Sequence, residues 1–381
     1  MSSPATTILF GAFDRHNLGD LLFPHVVSAL LPGHDLHYAG LINRDLRAYG
    51  GHQLRSIAEL ARELHGSVNL IHVGGELLTC AAADAQAMLG AGASTSIFDP
   101  APYVAAKARF RHPTWFACNA VGGADFDRSS PALREAVLAR LRDMDSISVR
   151  DRQTQAALAR HGIAAALVPD PGVMTAALFA ERIAQHRASG EVAHIAGMFP
   201  NGHIAVQFSA DFADDASLNS LAAQCDRLAT ATGLAIILFR AGAAPLHDSM
   251  DLYRALRQRM RESARAALFE SLNIWDICAL IAASRGYLGS SLHGRMLALA
   301  YALPRVTLVL PHQAQPGKHR AFIEAWEDPA MPGAVPPDQG AAALLAAMDT
   351  DPTRSRHQAE RLVALYRAGC ESWRSKIPPH A

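Results

Sequence analysis

Serine, histidine and arginine crowd one short stretch, residues 286–306, GYLGSSLHGRMLALAYALPRV. A histidine side chain has a pKa range useful for proton transfer near neutrality, which makes His293 a candidate acid or base. Ser290, Ser291 and Gly294 surround it, and Arg295 adds a guanidinium whose fork fits a carboxylate or phosphate. Residues 286–290 read as a strand and the run from about 294 as a helix, so Ser290, Ser291 and His293 occupy a strand-to-helix turn. N–H groups and the helix dipole favour an anion at such a turn. The same residues would equally suit a structural cap at the mouth of an apolar helix, and both readings stay open on residue type alone.

Further candidates sit at the ends of other apolar runs. PHQAQPGKHR, at 311–320, gathers His312, Lys318, His319 and Arg320, either as a second anion-friendly turn or as a solvated basic loop. In GAFDRHNLGDLLF, Gly11, Asn17 and Gly19 permit a tight turn, and Asp20 stands where a helix could begin. Asp20 is then either an N-cap or part of a pocket for an anionic or hydroxylated ligand. The spacing is not G-x-G-x-x-G, so no dinucleotide fingerprint is present. HVGGELL, at 72–78, pairs Gly74 with Gly75 for close backbone approach to a ligand or a neighbouring loop, with Glu76 beside them. Arg150 and Asp151 in SVRDRQT read as an ion pair and a helix cap, and Asp170 in VPDPGV as a structural turn.

The elements that must position these groups alternate along the chain. Near-continuous apolar runs at 6–13, 69–75, 114–122, 146–151 and 165–170 have the character of parallel strands covered on both faces. Helical patterns lie between them, among them 131–144 with proline in its first turn and 152–161 closed by Gly162. Residues 186–202 carry three glycines and a proline without periodicity and read as a linker. Alternation resumes with runs at 203–210, 234–241, 286–290 and 305–310 and helices at 216–231, 248–263 and after His293. The expectation is an α/β protein of two Rossmann-like, doubly wound domains facing a cleft. Residues 1–185 form the first domain, 186–202 the linker and 203–350 the second, with an amphipathic helix in 351–381 packing across both. The proline-rich piece 328–340 reads as an exposed loop.

Composition excludes several classes. Lys+Arg and Asp+Glu stand at 35 each, so no net field draws the protein to nucleic acid or to an anionic membrane. Five dispersed cysteines without a Cys-x-x-Cys pair suggest reduced thiols rather than a disulfide framework or zinc site. No metal-ligand spacing is evident, no segment approaches the ~20 apolar residues of a membrane span, and a cytoplasmic protein is expected.

Taken in order, NLGD, HVGGELL, ISVRDRQT, LVPDPGVM, GSSLHGRMLALAYALPRV and GKHRAF resemble the polysaccharide pyruvyl transferase family over residues 6 to about 322. The resemblance implies a GT-B-like fold and transfer of a pyruvyl group from phosphoenolpyruvate, without a cofactor, to a glycan or lipid-linked sugar. His293 would be the catalytic acid/base, with Asp20 or Glu76 accepting a hydroxyl proton. Ser290, Ser291, Gly294, Arg295, Lys318 and Arg320 would meet the donor, and Asn17, Gly19, Gly74, Gly75 and Glu76 the acceptor. Many members carry arginine where this chain has Ser291, and IAVQFSADF lacks a basic residue that some carry. Either Arg295, Lys318 or Arg320 then takes the anion contact, or the donor is handled differently. A nucleotide-sugar glycosyltransferase of the same fold and a non-catalytic glycan- or partner-binding protein are the alternatives. Acceptor sugar and oligomeric state are not encoded in any recognisable motif.

Overall fold

The computed structural model describes residues 6–90, 97–245, 247–310 and 317–377. Two compact units emerge: Met1–Pro171 with Leu362–Ala381, and Gly172–Arg361. In the first, β1 (Thr6–Phe10), β2 (Leu36–Gly40), β3 (Arg44–Asp45), β4 (Gln53–Ser56), β5 (Val68–His72), β6 (Pro113–Val121), β7 (Ser146–Val149) and β8 (Ala166–Leu167) form one sheet among the described residues. Its order is β3-β4-β2-β1-β5-β6-β7-β8, parallel except for the β3–β4 pair. Ile8, Phe10, Leu70, Phe116 and Cys118 join one buried cluster, while the alternate residues Leu9, Ile71 and Ala117 are equally buried. Burial of both parities means both faces are covered, hence the uninterrupted apolar runs.

The connecting helices start and stop as their ends dictate. Helix Pro131–Arg142 has proline at its start, and Ser130 accepts from Leu133 N–H at 3.3 Å. Asp151 caps helix Arg152–Arg160 by accepting from Thr154 N–H at 2.7 Å, and Gly162 follows at φ +74°. Near its carboxyl end β6 shifts register between Cys118 and Val121, and Ala120 adopts φ +49° there. This irregularity bends the strand before Gly122.

The second unit holds β9 (His203–Gln207), β10 (Ala235–Phe239), β11 (Ala266–Phe269), β12 (Tyr287–Gly289), β13 (Arg305–Leu308) and β14 (Ala334–Val335). All its pairs are parallel, in the order β11-β10-β9-β12-β13-β14. The two Rossmann-like sheets agree with the expected architecture.

Three segments differ from expectation. Residues 186–202 are not a plain linker: Gly190–Met198 is a helix, with Val192 and Ile195 buried and Glu191 accepting from Glu270 and Ser271 N–H at 2.8 Å each. Gly190 and Gly202, both at positive φ, serve the turns at its two ends. The break between units instead follows Pro171, because helix Thr175–Arg187 packs on helix Ile274–Ala283. His186 Nδ1 lies 2.6 Å from Asp276 Oδ1, and the Phe179 and Trp275 rings meet at 5.1 Å. The proline-rich piece 328–340 supplies the edge strand β14 and buries Met331 and Pro337; its prolines lie outside the paired residues Ala334 and Val335, so the ladder loses no donor. Helix Pro352–Arg374 buries Leu362, Tyr366 and Trp373, whereas Leu365, expected on the same stripe, is 40% exposed. The division between units falls within this helix, after Arg361. No described helix is long and apolar enough to cross a membrane.

One buried histidine gives this fold a pH dependence. His72 is wholly buried in β5, its Nδ1 2.9 Å from Ala117 O and its Nε2 accepting from Ala105 N–H at 2.9 Å. One nitrogen therefore donates and the other accepts, which is the neutral ring. Burial, with a contribution from Arg140, lowers its pKa to about 4. Stability from this group is full above the unfolded value of about 6.5 and is lost as pH falls toward 4, about 2 kcal/mol of it by pH 5. We expect His72→Gln to be less stable at pH 7 yet to lose less between pH 7 and 5 than the parent, read from urea unfolding midpoints.

Candidate functional site

A parallel sheet covered on both faces exposes chemistry only beyond the carboxyl ends of its strands, above all where the strand order reverses. The reversal lies between β1 and β5 in the first unit and between β9 and β12 in the second. Asn17, Gly19, Asp20, Gly74, Gly75 and Glu76 collect at the first, and Ser290, Ser291, His293 and Gly294 at the second.

In the first unit the turn after β1 is built on buried charge. Asp14 is fully buried, accepting from Tyr103 Oη at 2.8 Å and from Leu41 N–H at 2.7 Å. Burial, opposed by neighbouring Arg15, raises its pKa above the usual carboxylate range. Arg15 donates to Tyr103 Oη at 3.0 Å and sits 3.6 Å from Asp20. Asn17, rather than Asp20, caps helix Leu18–Leu30, its Oδ1 accepting from Gly19 and Asp20 N–H at 3.2 and 3.4 Å. Asp20 instead stands in the first turn, its Oδ1 3.1 Å from where a Cβ on Gly75 would lie. Gly74 and Gly75 adopt φ +122° and +94°, a region L-residues avoid. Their close neighbour is another loop, for Gly75 O accepts from Gly122 N–H at 2.7 Å.

Glu76 is tied down as well. It accepts from Ala124 N–H at 3.0 Å and from Arg150 at 2.5 Å, and Arg150 also donates to Asp170 at 2.9 Å. A side chain on Gly122 would collide with Glu76 and Arg150. Arg150 is therefore in an ion pair, as expected, with Glu76 and Asp170 as its partners, although Asp170 reads in sequence only as a structural turn. Asp14, Arg15 and Tyr103 are not among the sequence candidates, although DR directly after a buried strand inside GAFDRHNLGD is a usable signal.

In the second unit the turn after β12 holds Ser290, Ser291 and His293, all partly buried. Ser291 caps helix Leu292–Ala300, its Oγ accepting from Gly294 N–H at 3.3 Å. Ser290 Oγ accepts from Ser209 N–H at 2.9 Å, joining the loops after β12 and β9 across the reversal. Beneath the turn lies Tyr287, fully buried, whose hydroxyl accepts from Ser291 N–H at 3.2 Å. A Cβ on Gly289 or Gly294 would run into that hydroxyl, so Gly294 is glycine for the tyrosine rather than for a ligand. Gln207 offers Oε1 to Tyr287 Oη at 3.3 Å and donates from Nε2 to both oxygens of Asp248 at 2.9 and 3.0 Å. Burial, countered by these hydrogen bonds, raises the Asp248 pKa to about 6. Gln207, Tyr287 and Asp248 are not among the sequence candidates, and Tyr287 lies in the run 286–290 that reads as a strand.

Arg295 is a correction. It is fully buried and faces the core, with Nε 2.8 Å from Glu327, while its terminal nitrogens donate to Thr307 Oγ1, Gly333 O and Pro332 O. Arg305 binds the same carboxylate at 2.7 Å. Burial works to raise the Glu327 pKa, but Arg295 and Arg305 prevail and hold it at about 2. An arginine so engaged has no fork left for a donor. Lys318 and Arg320 stand exposed on helix Gly317–Trp326, Arg320 with Glu324 at 2.6 Å, and His312 lies outside the described residues. Among the described residues no group of three His, Cys, Asp or Glu is placed to hold a metal ion.

Two doubly wound units with their polar turns at the order reversals define a GT-B-like α/β protein. Similar solved structures include a putative UDP-N-acetylglucosamine 2-epimerase from Listeria monocytogenes at TM-score 0.61, 10% identical, covering 96% of this chain and 93% of that one. The UDP-GlcNAc 2-epimerase from Methanocaldococcus jannaschii, in complex with UDP-GlcNAc and UDP, matches at TM-score 0.57 and 13% identity, covering 96% and 99%. At such identities the likeness is one of fold. No curated protein matches the chain significantly. Residues 17–309 match the polysaccharide pyruvyl transferase family, and the chain belongs to it.

The buried charge makes a stability prediction. Removing one partner of a buried ion network is strongly destabilising because the remaining charge is stranded. Arg295→Met should cost about 3 kcal/mol of stability in urea unfolding, Arg305 sparing Glu327 from complete isolation.

Proposed function

We propose that the protein transfers a pyruvyl group from phosphoenolpyruvate to a sugar of an exopolysaccharide, capsule or cell-wall glycan, closing it as a cyclic ketal. Family membership supports the class of reaction. The observation that carries the assignment of residues is the place of His293, in the first turn of a capped helix at the order reversal of the second sheet.

In this reading His293 protonates C3 of phosphoenolpyruvate. The C2=C3 π pair forms the new C–H bond, and C2 becomes an oxocarbenium centre supported by the ester oxygen. One sugar hydroxyl adds to C2 and loses its proton. The C2–O bond to phosphorus-bearing oxygen then breaks, phosphate leaving with the bonding pair, and a second hydroxyl adds at C2. Of the two hydroxyl protons, one restores His293 and the other passes by way of Asp20 to solvent. Phosphate and carboxylate are assigned to the helix N-terminus with Lys318 and Arg320, a preorganised positive environment. Arg295 is no longer among these cations. The acceptor sugar is assigned to the first unit, where Asn17, Gly19, Gly74, Gly75 and Glu76 surround the turn and Asp20 receives a hydroxyl proton. No cofactor enters, and the reaction is placed in the cytoplasm.

Purified protein should release phosphate from phosphoenolpyruvate and add the expected mass to one of a panel of lipid-linked or nitrophenyl sugars. His293→Gln should lower kcat by about 10²-fold or more at an unchanged melting temperature. Undiminished turnover by that variant, or turnover of UDP-sugars in place of phosphoenolpyruvate, would sink the assignment.

A further inference from the structure

The polar chain beneath the His293 turn is more elaborate than a helix cap requires. It starts in the loop after β10, where Asp248 Oδ2 accepts from Ala241 and Gly242 N–H at 2.6 and 3.3 Å. It continues through Gln207, the last residue of β9, to Tyr287, the first of β12. These strands are consecutive in the sheet, so one hydrogen-bonded path joins the carboxyl-end loops of three neighbours.

Each link fixes the next. An ionised carboxylate can only accept, so Asp248 directs the amide Nε2 of Gln207 toward itself and leaves Oε1 for Tyr287. The phenol carries a single hydrogen, shared between Gln207 Oε1 at 3.3 Å and Ser291 O at 3.1 Å, while its lone pair receives Ser291 N–H at 3.2 Å. The backbone of Ser291 is thus held at both its N–H and its C=O by one side chain, two residues before His293. The ring cannot withdraw, being fully buried, and the glycines at 289 and 294 leave space for this hydroxyl in this place.

We propose that Tyr287 is a positioning residue: its hydroxyl, oriented through Gln207 by Asp248, sets the first turn of helix Leu292–Ala300 and with it the imidazole of His293. The proposal rests on the reading of His293 as the proton donor for its catalytic consequence, but not for its geometry. Tyr287 touches no reacting atom. A misplacement of the order of 1 Å at the reacting group can cost about a hundredfold in rate. Loss of the hydroxyl should therefore act on kcat rather than on KM.

The test pairs a spectroscopic signature with kinetics on the full chain. In protein labelled at histidine, the His293 resonance is identified by its disappearance in His293→Gln. Tyr287→Phe keeps the ring and deletes only the hydroxyl, and Asp248→Asn alters the far end of the path. Tyr301→Phe, at the opposite end of the same helix, is the control. We expect the first two variants to move the His293 resonance and its titration midpoint, and the control to leave both in place. With phosphoenolpyruvate as donor, Tyr287→Phe should lower kcat about ten- to a hundredfold with KM changed less than twofold. A His293 titration in Tyr287→Phe that superimposes on the parent overturns the proposal, as does an unchanged kcat where the parent turns over. A parent that moves no pyruvyl group, but whose His293 signal responds to Tyr287→Phe, refutes the reaction and upholds the positioning role. If Tyr287→Phe fails to fold, the same readouts on Gln207→Glu decide, because the carboxylate would repel Asp248 and lose its tie to that end of the path.

Discussion

Parallel pairing is the constraint on which the rest of this protein depends. Strands joined by crossovers must be covered on both faces, which consumes the side chains of both parities in the core. Polar and charged groups can then leave the core only at strand ends, and only where the strand order reverses do adjacent loops diverge enough to leave room. In each unit the reversal falls between the first strand of the sheet and the first strand on its other side: β1 beside β5, β9 beside β12. The functional candidates lie there because the sheet offers them few other places.

Charge near those ends is used in two ways. Arg295, Arg305 and Glu327 form a fully buried network whose remaining N–H groups reach Thr307 and the carbonyls of Leu303, Pro332 and Gly333. Removing such ions from water costs several kcal/mol each, so they persist only where every partner is supplied. Arg150 shows the intermediate case, with Asp170 wholly buried on one side and Glu76, 29% exposed, on the other. His293 and Lys318 keep contact with solvent. Exposure, more than residue type, separates the buried charges that hold the fold from Lys318, which stays open to solvent.

Much of the plan was legible. The apolar runs forecast β1, β5, β6, β9, β10, β12 and β13, and proline and glycine marked helix ends at Pro131 and Gly162, since these signals are local. The strands β2, β3, β4, β11 and β14, and the true cap at Asn17, are not legible in the sequence because their formation depends on what lies alongside. Helix Thr175–Arg187 was counted with the first domain, yet its His186 and Phe179 find partners on Asp276 and Trp275, about ninety residues onward in the chain.

The sequence by itself determined the class of fold, the order of motifs and the position of His293 at a strand-to-helix turn. Periodicity and capping chemistry are written in neighbouring residues and need nothing from elsewhere. Only the tertiary structure decided that Arg295 turns into the core, that Gly294 makes way for Tyr287, and that Gln207 and Asp248 stand behind the same turn. Those outcomes follow from contacts between residues up to about eighty positions apart in sequence, where burial and partner geometry, rather than local preference, set the direction of each side chain.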